Sequence, residues 1–179
     1  MYTMLKLSVN LYNIPIFSLR TGQIVGCALR PLVNPNNLKI EAWFVESKFE
    51  DGQLLLPSIE IREISRQGIA VNDHDAMTHV EELVRLEPLA KFDFQLQGKP
   101  VVTESKKRLG KVDDYATDLE SFYIQKLYVT QKGIRAFTHN QLSVSRNQIV
   151  EITAKKIIIK DVEETVPIYF KTGVAAAES

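Results

Sequence analysis

The feature that most constrains this chain is that it matches itself. Residues 63–73 read EISRQGIAVND and residues 151–161 read EITAKKIIIKD, with Glu, Ile, Ile and Asp at matching places and an offset of 88. LKIEAWFV at 38–45 aligns with FYIQKLYV at 122–129 at an offset of 84. Gly26 stands 19 residues before Val45, and Gly110 stands 19 residues before Val129. Pro15-Ile16 matches Pro100-Val101 at the head of each copy. Matched blocks in one order, at nearly constant offsets, indicate a duplicated supersecondary unit rather than chance. The copies run over about 9–74 and 94–162, and the second carries about four extra residues within 130–141.

Each copy reads as strands. IPIFSL (14–19) and IVGCALRPLV (24–33) flank the turn signal Thr21-Gly22. Pro31 places the end of the second run at an edge or irregular position. After the turn at Asn34-Pro35-Asn36-Asn37, Leu38, Ile40, Ala42 and Phe44 alternate with Lys39 and Glu41, the period of a half-buried strand. The second copy offers PVVT, LGKVDDYA, FYIQKLYV, QLSV, QIVEI and KIIIK in the same roles. Gly26 and Gly110, inside strand runs, mark bends or bulges. Many short strands separated by turns predict small barrels or sandwiches.

The expected division is a first module over 1–74, a linker over 75–93, a second module over 94–166 and a flexible tail over 167–179. In the linker, Ala76, Met77, Val80, Leu83 and Val84 fall at helical spacing, with Asp73 or Asp75 as cap and Pro88 as stop. A module of this size buries only about 60–65% of its unfolded surface, so the two modules are expected to pack as a fixed pair. Trp43 and Phe44, with Phe122, Tyr123 and Tyr128 on the equivalent strand, are candidates for the core or for the seam between modules.

LGKVDDYATDLESFYIQKLYV (109–129) resembles the signature stretch of PRC-barrel domains. GKPVVTESKKRLGKV (98–112) is similar to the opening of that domain and QIVEITAKKIIIKD (148–161) to its closing strand pair. In the first copy Cys27-Ala28-Leu29-Arg30 stands in place of Lys-Val-Asp-Asp, while PSIEIREISRQGIAV (57–71) is again similar. The family includes the cytoplasmic domain of the photosynthetic reaction-centre H subunit and the carboxy-terminal domain of the RimM ribosome maturation factor. The resemblance implies a mainly β fold of two tandem small antiparallel β-barrels, each of about six strands, joined by a short helical linker. It implies protein binding, sometimes with RNA nearby, rather than catalysis. Fold resemblance alone carries no specific function.

Composition narrows the classes further. Twenty-two basic residues balance twenty-two acidic ones, which removes any global attraction to nucleic acid or anionic lipid. The single cysteine, Cys27, cannot form an intramolecular disulfide, and no Cys/His framework for structural zinc exists. A reducing cytoplasm is the simplest compartment. Asn10, Asn13 and Pro15 interrupt the amino-terminal apolar stretch, which therefore does not read as a signal peptide. No run approaches the roughly 20 apolar residues of a membrane helix, so no transmembrane segment is expected.

Candidate chemistry is sparse. His74 and His79 are five apart, which does not place both on one helix face, and His139 lies in the extra stretch of the second copy. Cys27 sits in a strand run, and Ser58, Ser143 and Ser145 lack a nucleophile-elbow context. Asp113 and Asp114 diverge if they share a strand, and a solvated edge and turn accounts for them. No catalytic residue, metal site or cofactor is expected.

The best candidate for interaction is a basic cluster. Lys106, Lys107, Arg108 and Lys111 belong to the first hairpin of the second copy, and Lys155 and Lys156 to a later turn. Brought together, these turns make a positive patch for phosphates or an acidic partner. Lysines that protect strand edges are the competing account. No aromatic RNA-binding motif accompanies them, so RNA is a weakly supported partner and a protein the expected one. The chain is read as a non-enzymatic cytoplasmic protein-binding or assembly module, with ribosome or RNA-processing complexes among the contexts expected for it. A peripheral adaptor of a membrane-associated complex and a small hydrolase or metal enzyme are the alternatives. The last would need a polar pocket with converging His or acidic side chains.

Overall fold

The computed structural model describes residues 5–130 and 141–161. The extra stretch of the second copy, His139 within it, and the expected tail at 167–179 lie outside the described residues.

In chain order the strands are β1 (Leu5–Leu7), β2 (Ile14–Ser18), β3 (Ile24–Asn34), β4 (Lys39–Ser47), β5 (Leu54–Pro57), β6 (Ile61–Ile64), β7 (Ile69–Val71) and β8 (Thr78–His79). Helix α1 (Glu87–Phe92) follows, then β9 (Pro100–Thr103), β10 (Arg108–Asp118), β11 (Ile124–Thr130), β12 (Gln141–Ser145), β13 (Ile149–Ile152) and β14 (Ile157–Ile159). One sheet runs β6-β7-β2-β3-β4-β5-β8. The other runs β13-β14-β9-β10-β11-β12, with β1 also paired to β10. The two orders correspond strand for strand over six strands. In each, the first strand pairs in parallel with the last, Ile16 opposite Ile69 and Val101 opposite Ile157. The register shifts correspond too: between Ala28 and Arg30 in β3, and between Val112 and Asp114 in β10. Each adds a residue that bends its long strand.

The expected pair of closed tandem barrels is not what forms. Only the first sheet curls, into a half-barrel, and the second is an open sheet. Among the described residues no strand pair joins β12 to β13 or β6 to β8 to complete a ladder. The physical reason is that the apolar faces find cover in each other. A single hydrophobic cluster contains Ile16, Ile40, Trp43, Leu54 and Ile69 from the first sheet and Val101, Val112, Tyr115, Leu127, Val144 and Ile157 from the second. Burying one sheet's face on the other removes that apolar surface from water without ring closure.

The halves are also sewn together by backbone. Lys39 and Tyr123 form an antiparallel bridge. The Ile40 amide donates to the Phe122 carbonyl at 2.9 Å, and the Ile124 amide to the Leu38 carbonyl at 2.8 Å. Arg146 donates across this seam to the carbonyls of Asn37 (2.5 Å) and Leu38 (3.4 Å), within its own half to that of Ile124 (3.3 Å), and lies over the Tyr123 ring. Trp43, fully buried, meets Phe122 edge-on at 5.7 Å and donates its indole N–H to the Leu11 carbonyl at 3.2 Å. The amino-terminal strand crosses as well: β1 pairs with β10, and the Ser8 amide and hydroxyl both donate to Asp114. Asp114 is thus a half-buried anchor rather than a solvated edge residue.

The linker departs from its expected helix over 75–87. Asp73 accepts from the His74 amide and caps a 3-10 turn at His74–Ala76. β8 then adds to β5, and a second 3-10 turn spans Val80–Glu82. Pro88 opens α1 instead of ending a helix, because a first-turn residue needs no amide hydrogen. Ala76, Met77 and Val80 are buried as expected, but by successive turns, and Val84 is 78% exposed. Arg30 fixes the end of α1 with two bonds to Asp93, at 2.6 and 3.1 Å.

Candidate functional site

A cleft of about 810 Å³ lies along β9 on the second sheet. Its lining includes Lys106, Arg108, Lys111, Lys155 and Lys156 over a floor that includes Pro100, Val102, Gly110 and Val112. Five of the six basic residues singled out in the sequence therefore line one cleft. Lys107 sits in the same hairpin turn but is not among the lining residues; its amide donates to the Thr103 hydroxyl at 3.1 Å.

The arrangement follows from register. β10 pairs antiparallel with β9, Arg108 opposite Val102 and Lys111 opposite Pro100. β14 pairs with β9 in parallel, beginning with Ile157 opposite Val101, so Lys155 and Lys156 arrive at the head of β9. The two turns lie at opposite ends of a four-residue strand, roughly 10 Å apart along it at the usual rise. Arg108 and Lys111 have opposite parity and would normally face opposite ways. A register shift between Arg108 and Gly110 leaves both exposed while Leu109 and Val112 are buried. Gly110 takes φ +138°, a backbone conformation suited to glycine.

Both turns are held from within. Thr103 and Lys107 close the hairpin through backbone bonds, and Lys106 adopts φ +68°. Ser105 donates through its amide (3.2 Å) and hydroxyl (2.7 Å) to Asp161, whose carboxyl those bonds hold below the usual carboxylate range. Thr153 accepts from the Lys155 and Lys156 amides at 3.3 and 3.0 Å. Lys99 donates to the Ala154 carbonyl at 2.5 Å, tying the second turn to the strand that precedes the cleft. Among the described residues, no acidic side chain forms an ion pair with any of the five lining cations. Asp113 is the one carboxylate among the described lining residues.

The corresponding positions on the first sheet carry no basic side chain. At the same offsets, Ile24 and Cys27 stand for Arg108 and Lys111, and Gln67 and Gly68 for Lys155 and Lys156. There the segment after β7 folds back, and a Cβ at Gly26 would lie 3.0 Å from the Met77 sulfur and 2.5 Å from the Glu46 carbonyl.

A second pocket, of about 790 Å³, lies on the first sheet and includes Arg20, Glu60, Asn72, Asp73 and Asp75 in its lining. Asp73 is engaged there by the His74 amide (2.8 Å), the Ser18 hydroxyl (3.1 Å) and Arg20 (2.9 Å). The His74 amide is the main cause holding its carboxyl below the usual range, which suits a structural cap rather than a proton donor. Burial first, and then Glu46, push the Cys27 thiol up, away from the thiolate a nucleophile needs. Among the described residues no group of three or more His, Cys, Asp or Glu is placed to hold a metal. No helix among them is long and apolar enough to cross a membrane.

Sequence reasoning missed Arg146, Asp114 and the crossing of β1, all of which join the halves. Polar residues in SVSRNQ and VDDY carry no periodic signal, and their partners lie 22 to 109 positions away. No family model matches the chain, and no curated protein matches it.

Proposed function

We propose that this chain is a non-enzymatic binding module that holds an acidic segment of a protein partner in the basic cleft of its second sheet. We read the two sheets as copies of one module related to PRC-barrel domains, held open because they share a core. The observation that carries the functional reading is the convergence of Lys106, Arg108, Lys111, Lys155 and Lys156 on one cleft with an apolar floor. Clustered cations raise the local concentration of an anionic partner and speed its capture even on a chain with no net charge. An acidic protein segment suits the site better than RNA. No aromatic side chain lines the cleft among the described residues, so bases have no stacking platform there. Valines and a proline between the cations favour aliphatic side chains. A cytoplasmic adaptor or assembly role fits such a site.

The test is a titration of a fluorescein-labelled glutamate-rich dodecapeptide, and separately of a twelve-nucleotide single-stranded RNA, into the full chain at two salt concentrations. The peptide should bind, weaken with salt, and lose at least tenfold in affinity on Arg108→Glu, Lys111→Glu and Lys156→Glu combined. Unchanged affinity in that variant refutes the assignment of the cleft. RNA binding tighter than the peptide, and lost in the same variant, replaces the acidic protein segment with nucleic acid.

A further inference from the structure

The chain leaves the last parallel-paired strand of each half through the same kind of anchor. Beyond β7, Asp73 accepts from the Ser18 hydroxyl at 3.1 Å, and the Leu19 amide donates to the Val71 carbonyl at 2.9 Å. Beyond β14, Asp161 accepts from the Ser105 amide and hydroxyl at 3.2 and 2.7 Å, and the Glu104 amide donates to the Ile159 carbonyl at 3.0 Å. Asp73 and Asp161 hold the same place in the two matched blocks. From Asp73 the chain turns back over its own half: Met77 is buried, and β8 pairs with β5.

Residues 162–168, VEETVPI, follow Asp161 and lie outside the described residues. Their starting point is fixed beside the cleft. Ser105, which holds Asp161, is next in the chain to Lys106, and Lys106 and Arg108 line the cleft. An extended residue spans at most about 3.6 Å, so Glu163 and Glu164 stay within roughly 11 Å of that anchor and reach the hairpin cations first. Val166 and Ile168 reach further, over the roughly 10 Å that separates the two turns of the cleft. The order of the segment, acids and then aliphatics, is the order in which the cleft offers cations and then a floor that includes Val102 and Pro100.

We infer that residues 162–168 of this chain occupy the basic cleft, with Glu163 and Glu164 against Lys106 and Arg108 and with Val166 and Ile168 on the apolar floor. This rests on the proposed role of the cleft and adds its regulation: an acidic partner must displace the chain's own segment. A segment tethered by a few residues has an effective concentration on the order of millimolar, so contacts too weak to hold a free peptide still fill the cleft. The partner's apparent affinity falls with the fraction of clefts left open.

The test titrates the glutamate-rich dodecapeptide into the full chain and into the full chain with Glu163→Gln and Glu164→Gln. The doubly substituted chain should bind about fivefold tighter or more. Glu81→Gln with Glu82→Gln, the same change of charge at two exposed positions of the linker, should leave the affinity unchanged. In parallel, carbodiimide cross-linking of the monomer should join Glu163 or Glu164 to Lys106 or Lys111. The Glu87–Lys91 pair, at 2.6 Å, is the internal control for that reaction. If the peptide binds both chains alike, the segment is no competitor and the inference is overturned, while the acidic-partner reading stands. If the peptide binds neither chain, the acidic-partner reading falls and the cross-link decides the inference. Its presence supports occupancy of the cleft, and its absence beside a positive control overturns it.

Discussion

Replacing Arg146 with methionine tests whether the two sheets are energetically one body. The guanidinium crosses the seam to two carbonyls on the β3–β4 turn, also reaches one on β11 in its own half, and covers the Tyr123 ring at 4.7 Å. Its bond to the Asn37 carbonyl, at 2.5 Å, is the strong one, and a hydrogen bond from a charged donor contributes about 1.5–3 kcal/mol net. The bonds at 3.3 and 3.4 Å lie at the long limit and add little. Stacking of a cation on a partly exposed ring adds about 0.5–1 kcal/mol. Methionine keeps most of the aliphatic stem, so the expected loss is about 2–3 kcal/mol, with lysine in its place recovering no more than about half. Trp43, the single tryptophan, sits buried beside the seam against Phe122 and reports urea unfolding directly. Circular dichroism, which sees both sheets, should give the same midpoint in the parent chain if the shared core unfolds cooperatively. A shift below about 0.5 kcal/mol in Arg146→Met would mean that the guanidinium decorates the seam without holding it.

Two further outcomes follow from the packing. Gly26→Ala should destabilise by about 1–3 kcal/mol, because its Cβ would meet the Glu46 carbonyl at 2.5 Å and overpacking forces a backbone shift; thermal unfolding of the full chain measures it. Asp73 has a folded pKa held below its ordinary value of 3.8, so its contribution is complete above that value and is lost as pH falls through the lower, folded one. Asp73→Asn should therefore remove part of the acid-side loss of stability below about pH 4, seen as a flatter dependence of the urea midpoint on pH in that window.

Much of the strand layout was legible because alternation survives burial on one face. The runs at 14–19, 24–33 and 38–45 fall on β2, β3 and β4, and those at 100–103 and 109–116 on β9 and β10. The matched blocks at 63–73 and 151–161 fall on β6–β7 and β13–β14. Closure was not legible, since period-two patterning says which residues are buried but not whether their cover is the far side of a barrel or another sheet. Trp43 and Phe122 illustrate this: the pattern suits either the core of each module or the seam between them, and the structure packs the buried Trp43 against a half-buried Phe122 across the seam. The linker misled because Ala76, Met77 and Val80 keep helical spacing while obeying a different geometry. Of the candidate site, the residues were legible and the arrangement was not. Lys106 and Lys156 belong to turns at opposite ends of β9, and only the parallel pairing of β14 puts them along one cleft.

The asymmetry between the halves bears on what the second sheet is for. Both long strands carry the same bulge, and in both sets of six corresponding strands the first pairs in parallel with the last, so the scaffold itself does not account for the difference. At the equivalent position the first sheet has Cys27 half-buried and Gly26 beneath Met77, an arrangement that serves its own packing. The second places Lys111 and Arg108 where the first has a thiol and an isoleucine, and adds two lysines where the first has glutamine and glycine. Unpaired like charges set side by side repel, so five cations around one cleft contribute nothing to folding that five neutral residues would not. Protection of a strand edge would explain one or two lysines. The register shift that leaves Arg108 and Lys111 exposed belongs to the scaffold, since the first sheet has it between Ile24 and Gly26, but edge protection does not explain an apolar floor left between the cations. The proposed acidic segment carrying aliphatic side chains would meet the charge and the floor together.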